Sequence, residues 1–105
     1  MASFYMLAGT VLSDLDMQQM MSFLSQQGLQ CRMEDEELRI DGAARIYVRP
    51  GFDHEFILVG DAREEIDLRR DCEQLSAVLR SQRIQHAYEL YGRDNEAIAE
   101  YEFTP

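Results

Sequence analysis

Lysine and tryptophan are absent from this chain of 105 residues, and cysteine and proline occur only twice each. Without lysine there is no ε-amine for Schiff-base chemistry and no P-loop type of phosphate clamp, which leaves the N-terminal amine as the only substitute. The scarcity of cysteine argues against a disulfide framework and against a paired Cys-x-x-Cys metal or redox motif. Cys31 and Cys72 stand alone at apolar positions and read as small core residues. Also missing are a phosphate-binding glycine loop, a nucleophile elbow, a His-Glu-x-x-His helix and an EF-hand loop. The chain is long enough for one core but short for a deep enclosed active site as well. Together these absences point away from an enzyme and imply no cofactor and no metal.

Basic charge is scarce too. Ten cations, all arginine, face twenty Asp and Glu, for a formal net charge of −10. Such a charge repels a phosphate backbone or an anionic bilayer at long range, so the expectation is no nucleic acid and no membrane among the partners. A basic protein is favoured instead. No apolar run reaches spanning length, and the stretch from Met1 to Gly9 lacks the basic segment of a secretory signal, which predicts a cytoplasmic address. No repeat, low-complexity stretch or Pro/Gly/Ser-rich linker divides the sequence, so 1–105 reads as a single α+β domain.

What is present is a globular apolar content of 46%, and its spacing predicts the elements. Phe4 to Leu12 is apolar on both alternating sets, as in a central strand covered on two sides. Ser13 as N-cap, Asp16 three residues later, and Leu15, Met17, Met20, Met21 and Leu24 at helical spacing predict a helix over 14–27, stopped by Gly28. The period then changes to two through Leu29, Cys31, Met33, Leu38, Ile40, Ala44, Ile46, Val48, Phe56 and Leu58, a meander of three or four strands. A second helix is expected from Asp61 as N-cap, with Glu64 at the capping-box position, to about Gln82. His86, Tyr88 and Leu90, then Ala97, Ala99, Tyr101 and Phe103, flank a polar turn and predict a C-terminal hairpin.

Register is tied to burial, so turn lengths can be argued from faces. A three-residue loop from Asp41 to Ala43 pairs Ile40 with Ala44 and Leu38 with Ile46, and sends Arg39, Arg45, Tyr47 and Arg49 together to the opposite face. The expected fold is therefore α+β, a two-layer ferredoxin-like β-α-β-β-α-β sandwich whose antiparallel sheet has both helices on one face and extra strands at its edges.

The nearest approach to a chemical cluster is Asp53-His54-Glu55 after the Pro50-Gly51 turn. Neighbours on an extended strand point to opposite faces, so a solvated turn is the expected role. His86 falls on the apolar alternation and reads as a satisfied core histidine. Glu34 to Glu37 lack the ligand spacing of a calcium loop and read as an acidic turn, and the carboxylates of the second helix read as an ordinary charged outer face.

The face opposite the helices is more informative. Alternation places Arg32, Arg39, Arg45, Tyr47 and Arg49 there, beside Tyr5, Leu7, Ile57 and Val59, an apolar centre rimmed by Arg and Tyr as in a recognition patch. The competing expectation is that the last hairpin folds across this face and the arginines pair with Glu37, Glu55 and Glu89. The leading functional expectation is a non-enzymatic interaction module, an adaptor, inhibitor or toxin-neutralising protein. It would act as a homodimer through the sheet or as an acidic binder of a basic protein. A small-ligand sensor using a Gly9 to Asp14 loop, or a dimeric α+β-barrel enzyme using His54 or His86 as a base, are the alternatives.

Overall fold

The computed structural model describes residues 4–105. Nine elements follow one another: β1 (Tyr5–Leu12), α1 (Met17–Gln26), β2 (Gln30–Glu34), β3 (Glu37–Asp41), β4 (Arg45–Pro50), β5 (Glu55–Ala62), α2 (Glu65–Ser81), β6 (Gln85–Tyr91) and β7 (Ala97–Phe103). The fold is α+β. All seven strands join one sheet in the order β2-β3-β4-β5-β1-β6-β7, and every neighbouring pair is antiparallel.

Leu7 and Val11 of β1 share a sheet face with Phe56 and Leu58 of β5, Ile46 and Val48 of β4, and His86, Tyr88 and Leu90 of β6. All are buried, and all but the polar His86 belong to one hydrophobic cluster with Met20 and Leu24 of α1 and Leu68, Cys72, Leu75 and Leu79 of α2. Among the described residues nothing covers the opposite face. Met6, Leu12 and Ile57 there remain 42%, 39% and 40% exposed, although the two-sided apolar pattern of β1 taken alone predicts cover on both sides.

Helix α1 begins at Met17, three residues later than the spacing predicts. Ser13 uses its hydroxyl to accept the Leu15 N–H at 3.1 Å, and the cap falls to Asp16. Asp16 Oδ1 accepts from Gln19 N at 2.8 Å while Gln19 Oε1 accepts from Asp16 N at 2.9 Å, a reciprocal capping box. Gly28, at φ 94, ends the helix as expected, with its N–H on Ser25 O and the Leu29 N–H on Leu24 O. Since Gly9 to Leu12 complete β1, only 13–16 connect it to α1, and the wider Gly9 to Asp14 loop does not exist.

Helix α2 begins at Glu65, not after Asp61. Asp61 stays in β5, opposite Met6 and Arg45, and the cap position is Glu64, whose side chain makes no capping bond. Glu65 and Asp67 in the first turn set negative charge against the positive end of the helix dipole.

The β3–β4 loop does have three residues, but they are Gly42 to Ala44. Ile40 pairs with Ile46 and Leu38 with Val48, two residues beyond the expected partners. Asp71 of α2 accounts for the shift: its Oδ2 accepts the Ala44 N–H at 2.7 Å and draws the turn onto the helix, burying Ala44. A shift of two conserves parity, so the arginines keep their predicted face. The C-terminal hairpin forms, with a bulge opposite Leu90 and Tyr91, and extends the sheet beside β1 instead of folding across it.

Candidate docking face of the sheet

Register places the residues of the uncovered face in rows that cross the sheet. One row runs Arg32, Arg39, Tyr47, Val59, Ala8, Glu89, Glu100 from β2 to β7. A second runs Asp41, Arg45, Asp61, Met6, Tyr91, and a third Arg49, Ile57, Thr10, Ala87, Glu102. The centres of the first and third rows are small or apolar, the second sets Asp61 beside Met6, and β5 and β1 contribute Met6, Ala8, Leu12, Ile57 and Val59 to an apolar stripe.

Arg32, Arg39, Arg45, Tyr47, Arg49 and Ile57 all lie on this face, as the alternation predicts. Tyr5 and Leu7 do not. Tyr5 pairs with Ala62 and Leu7 with Gly60 and Leu90, on the helix-covered side, where Leu7 is fully buried and Tyr5 packs against the core beneath the Arg93 guanidinium, 4.9 Å away. Both alternating sets of β1 are apolar, so the pattern alone leaves its orientation open. The small Gly9 between Leu7 and Val11, suited to close approach of a neighbour, is the one residue that marks the packed side. Met6, Ala8 and Leu12 take the places assigned to Tyr5 and Leu7.

The arginines are charge-balanced within the sheet. Arg45 Nη2 lies 3.0 Å from Asp61 Oδ1 and Arg49 Nε 2.6 Å from Glu37 Oε1. Arg39 reaches Asp41 at 2.8 Å and Glu34 at 3.3 Å, with its guanidinium 5.6 Å from the centre of the Tyr47 ring, and Arg32 reaches the same two carboxylates. Of the partners expected for them, only Glu37 serves. The others are Glu34, Asp41 and Asp61. Solvent-screened pairs of this kind contribute little stability, but they leave the β2–β4 half of the face electrically quiet.

The two histidines have opposite environments. His54 is solvent-exposed in the β4–β5 turn, with Asp53 at φ 50 and itself at φ 66, and its Nδ1 lies 3.1 Å from Asp14 Oδ1. Its carbonyl accepts the Ser13 N–H at 2.8 Å, which ties this turn to the β1–α1 connection. His86 is enclosed at 1% exposure. Its Nδ1 donates to Ile84 O at 2.9 Å, which leaves Nε2 to accept from the Ser76 hydroxyl at 2.8 Å. Burial holds its pKa below the ordinary imidazole value and the Arg80 charge adds to the effect, against the Ile84 hydrogen bond. Beside it the Tyr88 hydroxyl donates to Cys72 O at 2.6 Å. Serine and imidazole are thus in hydrogen-bonding contact, but both ring nitrogens are satisfied within the protein and both side chains are buried. The Cys72 thiol, pushed up to about 12 by burial, is inert there.

Asp35, at φ 58, turns the Glu34 to Glu37 segment between β2 and β3. The outer side of α2 does more than face solvent. Arg69 Nη2 donates to Ile98 O at 3.0 Å and Arg80 Nη2 to Glu102 O at 2.9 Å, so two guanidinium groups cap carbonyls of the edge strand β7 and blunt it against pairing with another chain. Among the described residues no group of three His, Cys, Asp or Glu side chains converges as a metal site, and no helix is long and apolar enough to cross a membrane. No protein family, curated protein or solved structure matches this chain in sequence or fold comparison.

Proposed function

We propose that this chain is a non-enzymatic protein-interaction module that receives a protein partner on the open face of its sheet. The observation that carries the reading is the placement of Met6, Leu12 and Ile57, three large apolar side chains about two-fifths exposed, on adjacent central strands instead of scattered over the surface. A contiguous apolar area in the middle of a sheet, rimmed by Tyr47, Tyr91 and arginines, has the composition of a recognition surface. The outline is adequate: seven strands about 4.8 Å apart and up to eight residues long span roughly 700 Å2, close to the ~800 Å2 each partner contributes to a standard interface.

The strand order supports the ferredoxin-like reading as the scaffold of that face. In this reading β1, α1, β4, β5, α2 and β6 are the β-α-β-β-α-β core, with β4-β5-β1-β6 adjacent in the sheet, the β2–β3 hairpin inserted after α1 at one edge and β7 added at the other. The enclosure of His86 and the solvation of His54 favour binding over catalysis as its work.

A photo-crosslinking residue in place of Val59, on the open face, tests the reading in living cells against the same residue in place of Gln74, on the exposed side of α2. Discrete protein adducts from position 59 and none from 74 are expected. The same adduct pattern from both positions, or none from either, would remove the open face as the docking surface.

A further inference from the structure

We infer that the occupant of the open face is a basic protein segment whose cationic side chains settle on the β6–β7 half, beside the apolar stripe. The inference rests on the docking reading above and names the chemistry of its partner. Charge on this face is divided unevenly. On the β2–β4 half every arginine has a carboxylate within 3.5 Å. On the other half Glu89 and Glu100 stand directly opposite each other in register, with Glu102 two residues on, and none of the ion pairs among the described residues includes them.

Like charges directly across a sheet oppose its folding. None of the chain's ten arginines forms an ion pair here, although Arg69 and Arg80 donate to carbonyls of the same edge strand. Glu89 accepts the Tyr91 hydroxyl at 2.7 Å, and that hydrogen bond, with desolvation and then the Glu89 and Glu100 charges, holds the phenol above its ordinary value. A shallow depression of about 320 Å3 lies among these residues, with Ala8 and Ala87 in its lining below Tyr91 and the three glutamates. Small apolar residues beneath and carboxylates above suit an arginine or lysine side chain, whose aliphatic stem lies on the apolar part while its charged head meets the carboxylates. A second copy of this chain fits less well. It brings a net charge of −10 against −10, and the arginines of its own open face already hold carboxylates.

The test uses a short labelled peptide alternating leucine and arginine, read by fluorescence anisotropy at low and high salt. The variants are Glu89→Gln with Glu100→Gln, Ile57→Gln alone, and the charge-matched control Asp35→Asn with Glu36→Gln in the distant β2–β3 turn. The expected result is about tenfold weaker binding for the β6–β7 pair with a shallower salt dependence, a comparable loss for Ile57→Gln, and little change for the control. Because the β6–β7 pair removes a like-charge contact, its thermal midpoint should not fall, which separates lost binding from lost structure. Equal losses in the β6–β7 pair and the control mark general attraction to an acidic chain and overturn the inference. Loss with Ile57→Gln alone overturns it while leaving the docking reading in place, and so does a light-scattering mass of twice the chain. Binding indifferent to every variant overturns both.

Discussion

Replacing Gly9 with alanine is expected to lower stability by about 3 kcal/mol, a large part of what a domain of this size possesses. Alanine in place of glycine inside a strand ordinarily stabilises, by roughly 0.5–1 kcal/mol, because the unfolded chain loses freedom. Here the sign reverses. Gly9 pairs with Leu58 on one side and Tyr88 on the other, and a Cβ at this position would fall inside van der Waals contact of the Ala87 carbonyl and of Tyr88 Cα and Cβ. Two of those three atoms are backbone, so relief requires β1 and β6 to part. Tyr88 is itself fixed by its bond to Cys72 O and stacked on Tyr101, with ring centres 5.3 Å apart. A urea titration of Gly9→Ala checks this. A midpoint equal to or above that of the parent would show that β1 does not run so close to β6.

The second large effect concerns His86 and acidity. Its pKa is depressed in the folded protein, chiefly by burial, so the unfolded chain binds the proton more readily than the native one. Stability supplied by keeping this imidazole neutral is complete above the unfolded value near 6.5 and declines as the pH falls below it, by about 1.4 kcal/mol per unit until the folded pKa is reached. Protonation would also turn Nε2 from an acceptor into a donor facing the Ser76 hydroxyl, which would then have to rotate and find another acceptor. His86→Gln should flatten the fall in unfolding free energy between neutral and mildly acidic pH, measured against the parent so that the carboxylates common to both cancel. Parallel curves for the two proteins would contradict the neutral, enclosed imidazole.

Much of the fold is legible in the residues. The change of period from 3.6 to 2 after Gly28 and back after Ala62 locates both helices and the meander, and Leu68, Cys72, Leu75 and Leu79 are buried where their spacing places them. The helix starts are less legible because several acceptors compete for each cap. Ser13 and Asp16 both qualify for α1, and Asp61 looks like a cap until its pairing with Met6 and Arg45 keeps it in the sheet. The position of the β3–β4 loop depends on Asp71, far along the chain, which no local pattern reveals.

The candidate site shows the same division. Parity places Arg32, Arg39, Arg45, Tyr47 and Arg49 on the open face, because one side of each of their strands is plainly apolar. It fails for β1, whose two sides are equally apolar, and so exchanges Tyr5 and Leu7 for Met6 and Ala8. The charge balance of the face was hidden for another reason. Apart from Arg32–Glu34 and Arg39–Asp41, which lie on single strands, whether an arginine is free or paired depends on which strands are neighbours, and the order β2-β3-β4-β5 brings Asp41 to Arg32, Glu34 to Arg39 and Asp61 to Arg45 while Glu89, Glu100 and Glu102 stand on the other half of the sheet.

The docking role of the open face is most directly tested by oxidative footprinting of the methionines, read by mass spectrometry on dilute isolated protein and on the same protein at native abundance in cells. Met6 lies in the apolar stripe, while Met17 and Met21 of α1 are half-buried on the far side of the sheet and serve as internal references. Oxidation of Met6 should be several-fold slower in cells relative to Met17 and Met21, because a bound partner covers the stripe. An unchanged ratio between the two conditions would mean that the face stands open in the cell, and the proposed function would fall with it.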